Sequence, residues 1–147
     1  MQSHQLPTLA LIVILWFTLL AILLYLLALQ NALKKCEPTS RTMTPGKVWL
    51  ALIPIFGLVW HFIVVLNIGK SLRNEFARLG IPCRESAPGQ AVGLASCICN
   101  CCIFIPLLGR LAGTVGFVLW IAYWIRIANY SRLLDANQAK TATSSIA

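Results

Sequence analysis

Apolar residues in this chain fall into long uninterrupted runs, not into the short alternations of a soluble domain. Leu9 to Leu29 carries no charged residue. As a helix rising 1.5 Å per residue it would extend roughly 31 Å, about the thickness of a bilayer core. Three further apolar stretches cover residues 48–68, 91–108 and 111–127. The pattern predicts an all-α integral membrane fold, with residues 1–147 as one domain.

Two short motifs break the runs. Ile53-Pro54-Ile55-Phe56-Gly57 interrupts the second near its middle, and Ile105-Pro106-Leu107-Leu108-Gly109 lies between the third and fourth. Proline removes a helical hydrogen bond and crowds the preceding turn, while glycine permits a sharp bend. Residues 48–68 are therefore either a proline-kinked span or a re-entrant hairpin. Both breaks read Ile-Pro-apolar-apolar-Gly and precede Trp-bearing apolar runs, an echo of the kind found in broken-helix transporters.

The polar stretches refine this picture. Across 69–80, Leu72, Phe76 and Leu79 recur at helical spacing, while Lys70, Arg73 and Arg78 fall on the other face. This predicts an interfacial amphipathic helix whose cations meet anionic headgroups, stopped by Gly80 and Pro82. Residues 141–147 are expected to form a disordered tail. Leu9–Leu29 is longer than the apolar region of a signal peptide and no Ala-x-Ala site follows, so it is expected to stay as an anchor.

Charge sets the threading. Only 11% of residues are charged, against about 25% in soluble domains, which is too few to cover a soluble surface. The net charge of +8 could suggest nucleic acid, but the cations lie in the connections between apolar runs, not on a soluble basic face. With four full spans, Lys and Arg divide seven against five. If 48–68 dips in and returns, the first connection holds four, the second four and the C-terminal segment three, all on one side. Only Arg110 then faces the other way. The positive-inside rule favours that split. The reading is three transmembrane helices plus a re-entrant or Pro-kinked fourth element, N-terminus outside and C-terminus cytoplasmic. A four-span helical bundle is the alternative.

Candidate chemistry is sparse. Cys97, Cys99, Cys101 and Cys102 fall within six residues, but one helix cannot aim all four at a tetrahedral ion, so no metal or other cofactor is assigned. His61 is the one titratable group deep in an apolar run. With Pro54 and Gly57 it marks a candidate pathway or packing site. Gly109, Ala112, Gly113 and Gly116 give small residues at four-residue spacing, a face for close helix packing. Arg126, with Lys70, Arg73 and Arg78, is placed for lipid headgroups. Trp49, Tyr123, Trp124 and Tyr130 suit an aromatic belt, whereas Trp16 and Trp60 are expected between helices. No phosphate loop, paired carboxylates or nucleophile–base set is present, which speaks against an enzyme.

The stretches Met43-Thr44-Pro45-Gly46-Lys47-Val48-Trp49, Leu52 to Trp60 and Ser71 to Phe76, with Trp120 to Trp124 and Ile127-Ala128, resemble a block in small uncharacterised bacterial multi-pass membrane proteins. The likeness covers about two thirds of the chain and does not include the cysteine cluster. It implies a bacterial inner-membrane protein and no particular activity. The expected role is a non-enzymatic accessory or scaffold subunit, docking on a membrane protein partner or on copies of itself. A small oligomeric channel or transporter, and a membrane-embedded immunity or regulatory protein, are the alternatives.

Overall fold

A computed structural model describes residues 5–53, 55–83, 85–103, 105–106 and 108–144. Every regular element among them is helical. Helix α1 covers Gln5–Lys35, a 3-10 helix Pro45–Leu52, α2 Phe56–Arg78, α3 Gln90–Cys102 and α4 Gly109–Ser144. Two helical stretches, Pro7–Lys35 and Gly109–Lys140, are long and apolar enough to cross a bilayer.

The contacts fix the directions. The Tyr25 ring lies tilted against Trp120 at 5.0 Å, and Lys35 pairs with Asp135 at 2.6 Å, so α1 and α4 run in parallel. Gly93 of α3 lies between Val65 of α2 and Tyr123 of α4, while Gly69 approaches Gln90. Helix α3 therefore runs against α2, and Arg126 of α4 reaches back to Glu85 ahead of α3. The C-terminal ends of α1, α2 and α4 gather together.

The buried core lies towards that end. Leu29, Leu33, Val64, Ile68, Leu72 and Ile127 are nearly inaccessible. The opposite half of α1 is bare: every residue from Pro7 to Leu20 is exposed. Trp16, expected between helices, is 68% exposed. Tyr123, expected in an interfacial belt, is instead 1% exposed and sits at the centre of the core. Residue type alone does not distinguish a Tyr at a headgroup from one between helices.

The two sequence breaks fold alike. The Gly57 amide donates to the Ile53 carbonyl at 2.6 Å, and the Gly109 amide to the Ile105 carbonyl at 2.8 Å. The Ile53 amide donates to Leu50 at 3.2 Å and the Ile105 amide to Cys102 at 3.1 Å. A Cβ on Gly57 would collide with the Ala51 carbonyl, and one on Gly109 would meet the Ile103 carbonyl at 2.7 Å. Each tip is a tight reversal that only glycine can close. Ile55, at the first tip, has φ of 66° and is 91% exposed, a strained position for a β-branched residue. Pro54 lies outside the described residues.

Three expectations about element boundaries are corrected. Residues 69–80 are not a separate interfacial helix: α2 runs unbroken from Phe56 to Arg78, because no proline interrupts it and the bare Cα of Gly69 fits beside Gln90. The tail is helical through Ser144, since Ala136 to Ser144 contains neither Gly nor Pro; residues 145–147 lie outside the described residues. The predicted 91–108 segment is helical only to Cys102, which leaves α3 with 13 residues, about 20 Å, before the chain turns.

Candidate functional site

Two polar assemblies are built into this largely apolar chain. The first lies at the end where α1, α2 and α4 terminate. Glu75 sits one turn before Arg78 on α2, with its side chain fully buried. Its carboxylate accepts from Arg78 at 2.6 Å and from the Glu37 amide at 3.0 Å. On the same helix face, the Ser71 hydroxyl accepts from the Thr42 amide at 3.0 Å, and Asn74 donates to the Ser40 carbonyl at 3.2 Å. Arg41 donates to the carbonyls of Cys36 and Lys34, capping the end of α1. The polar face of α2 thus clamps residues 36–42. Burial raises the Glu75 carboxyl, but hydrogen bonds from Arg78, Ser40 and the Glu37 amide outweigh it and hold the group below the usual carboxylate range. Burial pushes the Cys36 thiol up to about 12, with the Glu75 charge adding to it.

The second assembly lies deeper, between the hairpin tips and α1. Tyr25 Oη and His61 Nε2 are 3.3 Å apart. Around them stand the rings of Trp120, Trp124 and Tyr123, at 5.0, 6.1 and 6.4 Å from the Tyr25 ring. The Tyr123 hydroxyl is buried with no hydrogen-bond partner among the described residues. A cavity of about 430 Å³ opens beside this group, bordered by Tyr25, His61, Cys97, Asn100 and Trp120. A second cavity, about 590 Å³, lies between Phe17 and Thr18 of α1 and Gly113 and Gly116 of α4. Ile22, Asn100, Ile103 and Trp120 border both, so the two meet around Asn100.

The sequence-predicted residues separate into groups. His61 and Gly57 come together at the first cavity, although Gly57 is committed to the hairpin tip. The small-residue face divides: Gly109 closes the second tip, Gly116 packs against Cys99 and Asn100, and only Gly113 opens onto free space. Ala112 is half-buried beside them. Lys70 and Arg73 are exposed, as headgroup contact requires. Arg78 is drawn to Glu75 and, at 3.6 Å, to Glu37, while Arg126 pairs with Glu85 at 2.7 Å. Cys97 is buried, Cys99, Cys101 and Cys102 are half-buried, and among the described residues no three His, Cys, Asp or Glu side chains converge. Sequence reading missed Gly93, Glu75, Tyr25 and Asn100. A Glu at i and Arg at i+3 was visible for Glu75; Tyr25 and Asn100 were polar groups inside apolar runs. Gly93 gave no local signal.

Comparison with protein-family models, with curated proteins and with solved structures returned no match for this chain.

Proposed function

We propose that this chain is a small non-enzymatic accessory or scaffold subunit of the bacterial inner membrane. In this reading α1 and α4 cross the bilayer, the segment that begins with α3 supplies the third crossing, and Pro45 to Gly69 enters and returns. Gly109 to Arg126 rises about 26 Å and brings Arg110 towards the far headgroups. The grouping of Lys34, Lys35, Lys70, Arg73, Arg132 and Lys140 near one end supports a cytoplasmic C-terminus. Anionic lipid would meet that face, chiefly through Lys70 and Arg73.

The observation that carries the docking role is the bare half of α1. Pro7 to Leu20 is exposed on every face, including Trp16 and Phe17. Van der Waals packing and small polar contacts drive helix association in lipid. This segment offers a full helix circumference and Thr18, whose hydroxyl already donates to the Ile14 carbonyl. A photoreactive residue placed at Leu11 or Phe17 in native membranes tests the role. The expected result is a discrete protein adduct that disappears when Trp16 and Phe17 are changed to Ala. Adducts with phospholipid alone would overturn the reading.

A further inference from the structure

We propose that the paired cavities around Asn100 bind the ring of a lipid-soluble quinone. Their volumes, about 430 and 590 Å³, fall within the roughly 300–1,000 Å³ of small-molecule pockets. The walls are mainly apolar and aromatic, with a few polar groups, the usual composition of such a site. What separates this cleft from a mere gap between helices is its unspent hydrogen-bonding capacity. The Asn100 side-chain amide has no hydrogen-bond partner among the described residues, although it borders both cavities. In a bilayer no water is at hand to satisfy it, and an unmet polar group is costly there.

The Tyr25–His61 pair adds a second donor. With the proton of the uncharged ring on Nδ1, Tyr25 donates to Nε2 and the Nδ1–H group remains free. With the proton on Nε2, that group donates to Tyr25 and the phenolic hydrogen remains free. Either tautomer leaves one donor over. The complementary ligand therefore carries acceptors at separated positions, is uncharged, and is flat enough to lie against Trp120 and Tyr25. A ring with two carbonyls meets each condition. An acyl chain fills the volume but satisfies neither Asn100 nor the Tyr25–His61 pair. A charged headgroup finds no counter-ion, since among the described residues no Lys, Arg, Asp or Glu borders either cavity. The lipid-facing side, at Phe17 and Thr18 of the bare half of α1, gives an isoprenoid tail its way out. This inference needs no protein partner, so it stands or falls separately from the scaffold reading.

The test is titration of the detergent-solubilised full chain with a decyl-substituted para-benzoquinone, read by quenching of tryptophan fluorescence. Trp120 borders both cavities and carries the signal. Saturable quenching is expected. Asn100→Leu and His61→Phe should each weaken it about tenfold, the scale of one lost hydrogen bond. Gly113→Leu should abolish it by filling the wider cavity. Its new Cβ meets nothing nearer than Ile103 Cγ1 at 3.9 Å, so the variant has room to fold. Lys70→Ala should leave the curve unchanged. Quenching without a plateau, or equal in the parent and Gly113→Leu, would overturn the proposal. So would displacement of the quinone by dioleoyl phosphatidylglycerol at similar concentration, which would assign the cleft to acyl chains.

Discussion

Gly93 sits where α2, α3 and α4 meet. A Cβ there would stand 2.5 Å from Val65 Cγ1 and 2.8 Å from Tyr123 Cε2. Neither neighbour is a flexible chain end, so Gly93→Ala must push helices apart. The expected loss is about 2–3 kcal/mol, measured by thermal unfolding followed by circular dichroism in detergent. Gly113→Ala is the matched control: the space is open, and the better helix former should leave stability unchanged or raise it by up to about 1 kcal/mol. Glu75 makes a different kind of residue-scale claim. Its carboxyl lies below the ordinary value in the folded chain. Such a group contributes stability above its unfolded pKa, about 4.3, and the contribution disappears as pH falls through the folded value. The melting midpoint of the parent should therefore fall on going from about pH 6 to about pH 3. Glu75→Gln should start lower at neutral pH, by roughly 5 °C, and change less across that window. Parallel curves for the two proteins would show that the clamp on residues 36–42 does not depend on the charge.

At the scale of elements, the matched tips are the organising feature. Each hairpin turns at a glycine whose amide is hydrogen-bonded four residues back and where an added Cβ would collide with a carbonyl six residues back. A backbone carbonyl cannot rotate out of the way as a side chain can. Gly57→Ala and Gly109→Ala should both destabilise the fold by about 3 kcal/mol or more, with Gly57 the worse, whereas Gly46→Ala, with nothing within 4 Å, should be neutral. Limited proteolysis at the tips would locate the damage. These breaks were legible in the sequence because Pro and Gly act on the chain beside them. The helical character of 69–80 was legible for the same local reason. Its partners were not. That Ser71, Asn74 and Glu75 would grip residues 36–42 depends on which connection folds back over α2, and nothing within α2 records that. Trp16 and Tyr123 exchanged expected roles for a similar reason. Aromatic side chains suit both lipid-facing and interhelical sites, and only the assembled helices decide between them. The candidate site was half visible: His61 stood out as an ionisable side chain in an apolar run, while Tyr25 and Asn100 gained meaning only once three helices had brought them to one cleft.

At the scale of the whole molecule, the parallel course of α1, α2 and α4 ties the cation distribution to three dimensions. In the proposed threading, helices that end together present their terminal cations to one side. The four-span alternative needs residues 30–47 and 69–90 on opposite faces. Yet Glu37, Ser40 and Thr42 from the first connection are bonded to Glu75, Asn74 and Ser71 at the start of the second. A bilayer cannot pass between groups about 3 Å apart. The expected result of accessibility mapping follows. Native Cys36 should resist a membrane-impermeant thiol reagent, because it is 1% exposed and its Sγ lies 3.4 Å from the Ala32 carbonyl. In a Cys36→Ala background, an exposed Thr39→Cys and native Cys83 should label from the same compartment, and Pro7→Cys from the opposite one. Labelling of positions 39 and 83 from different sides would require the Glu75 clamp to be broken in the membrane. The re-entrant hairpin and the shared cationic face would then fail together, because both rest on that contact.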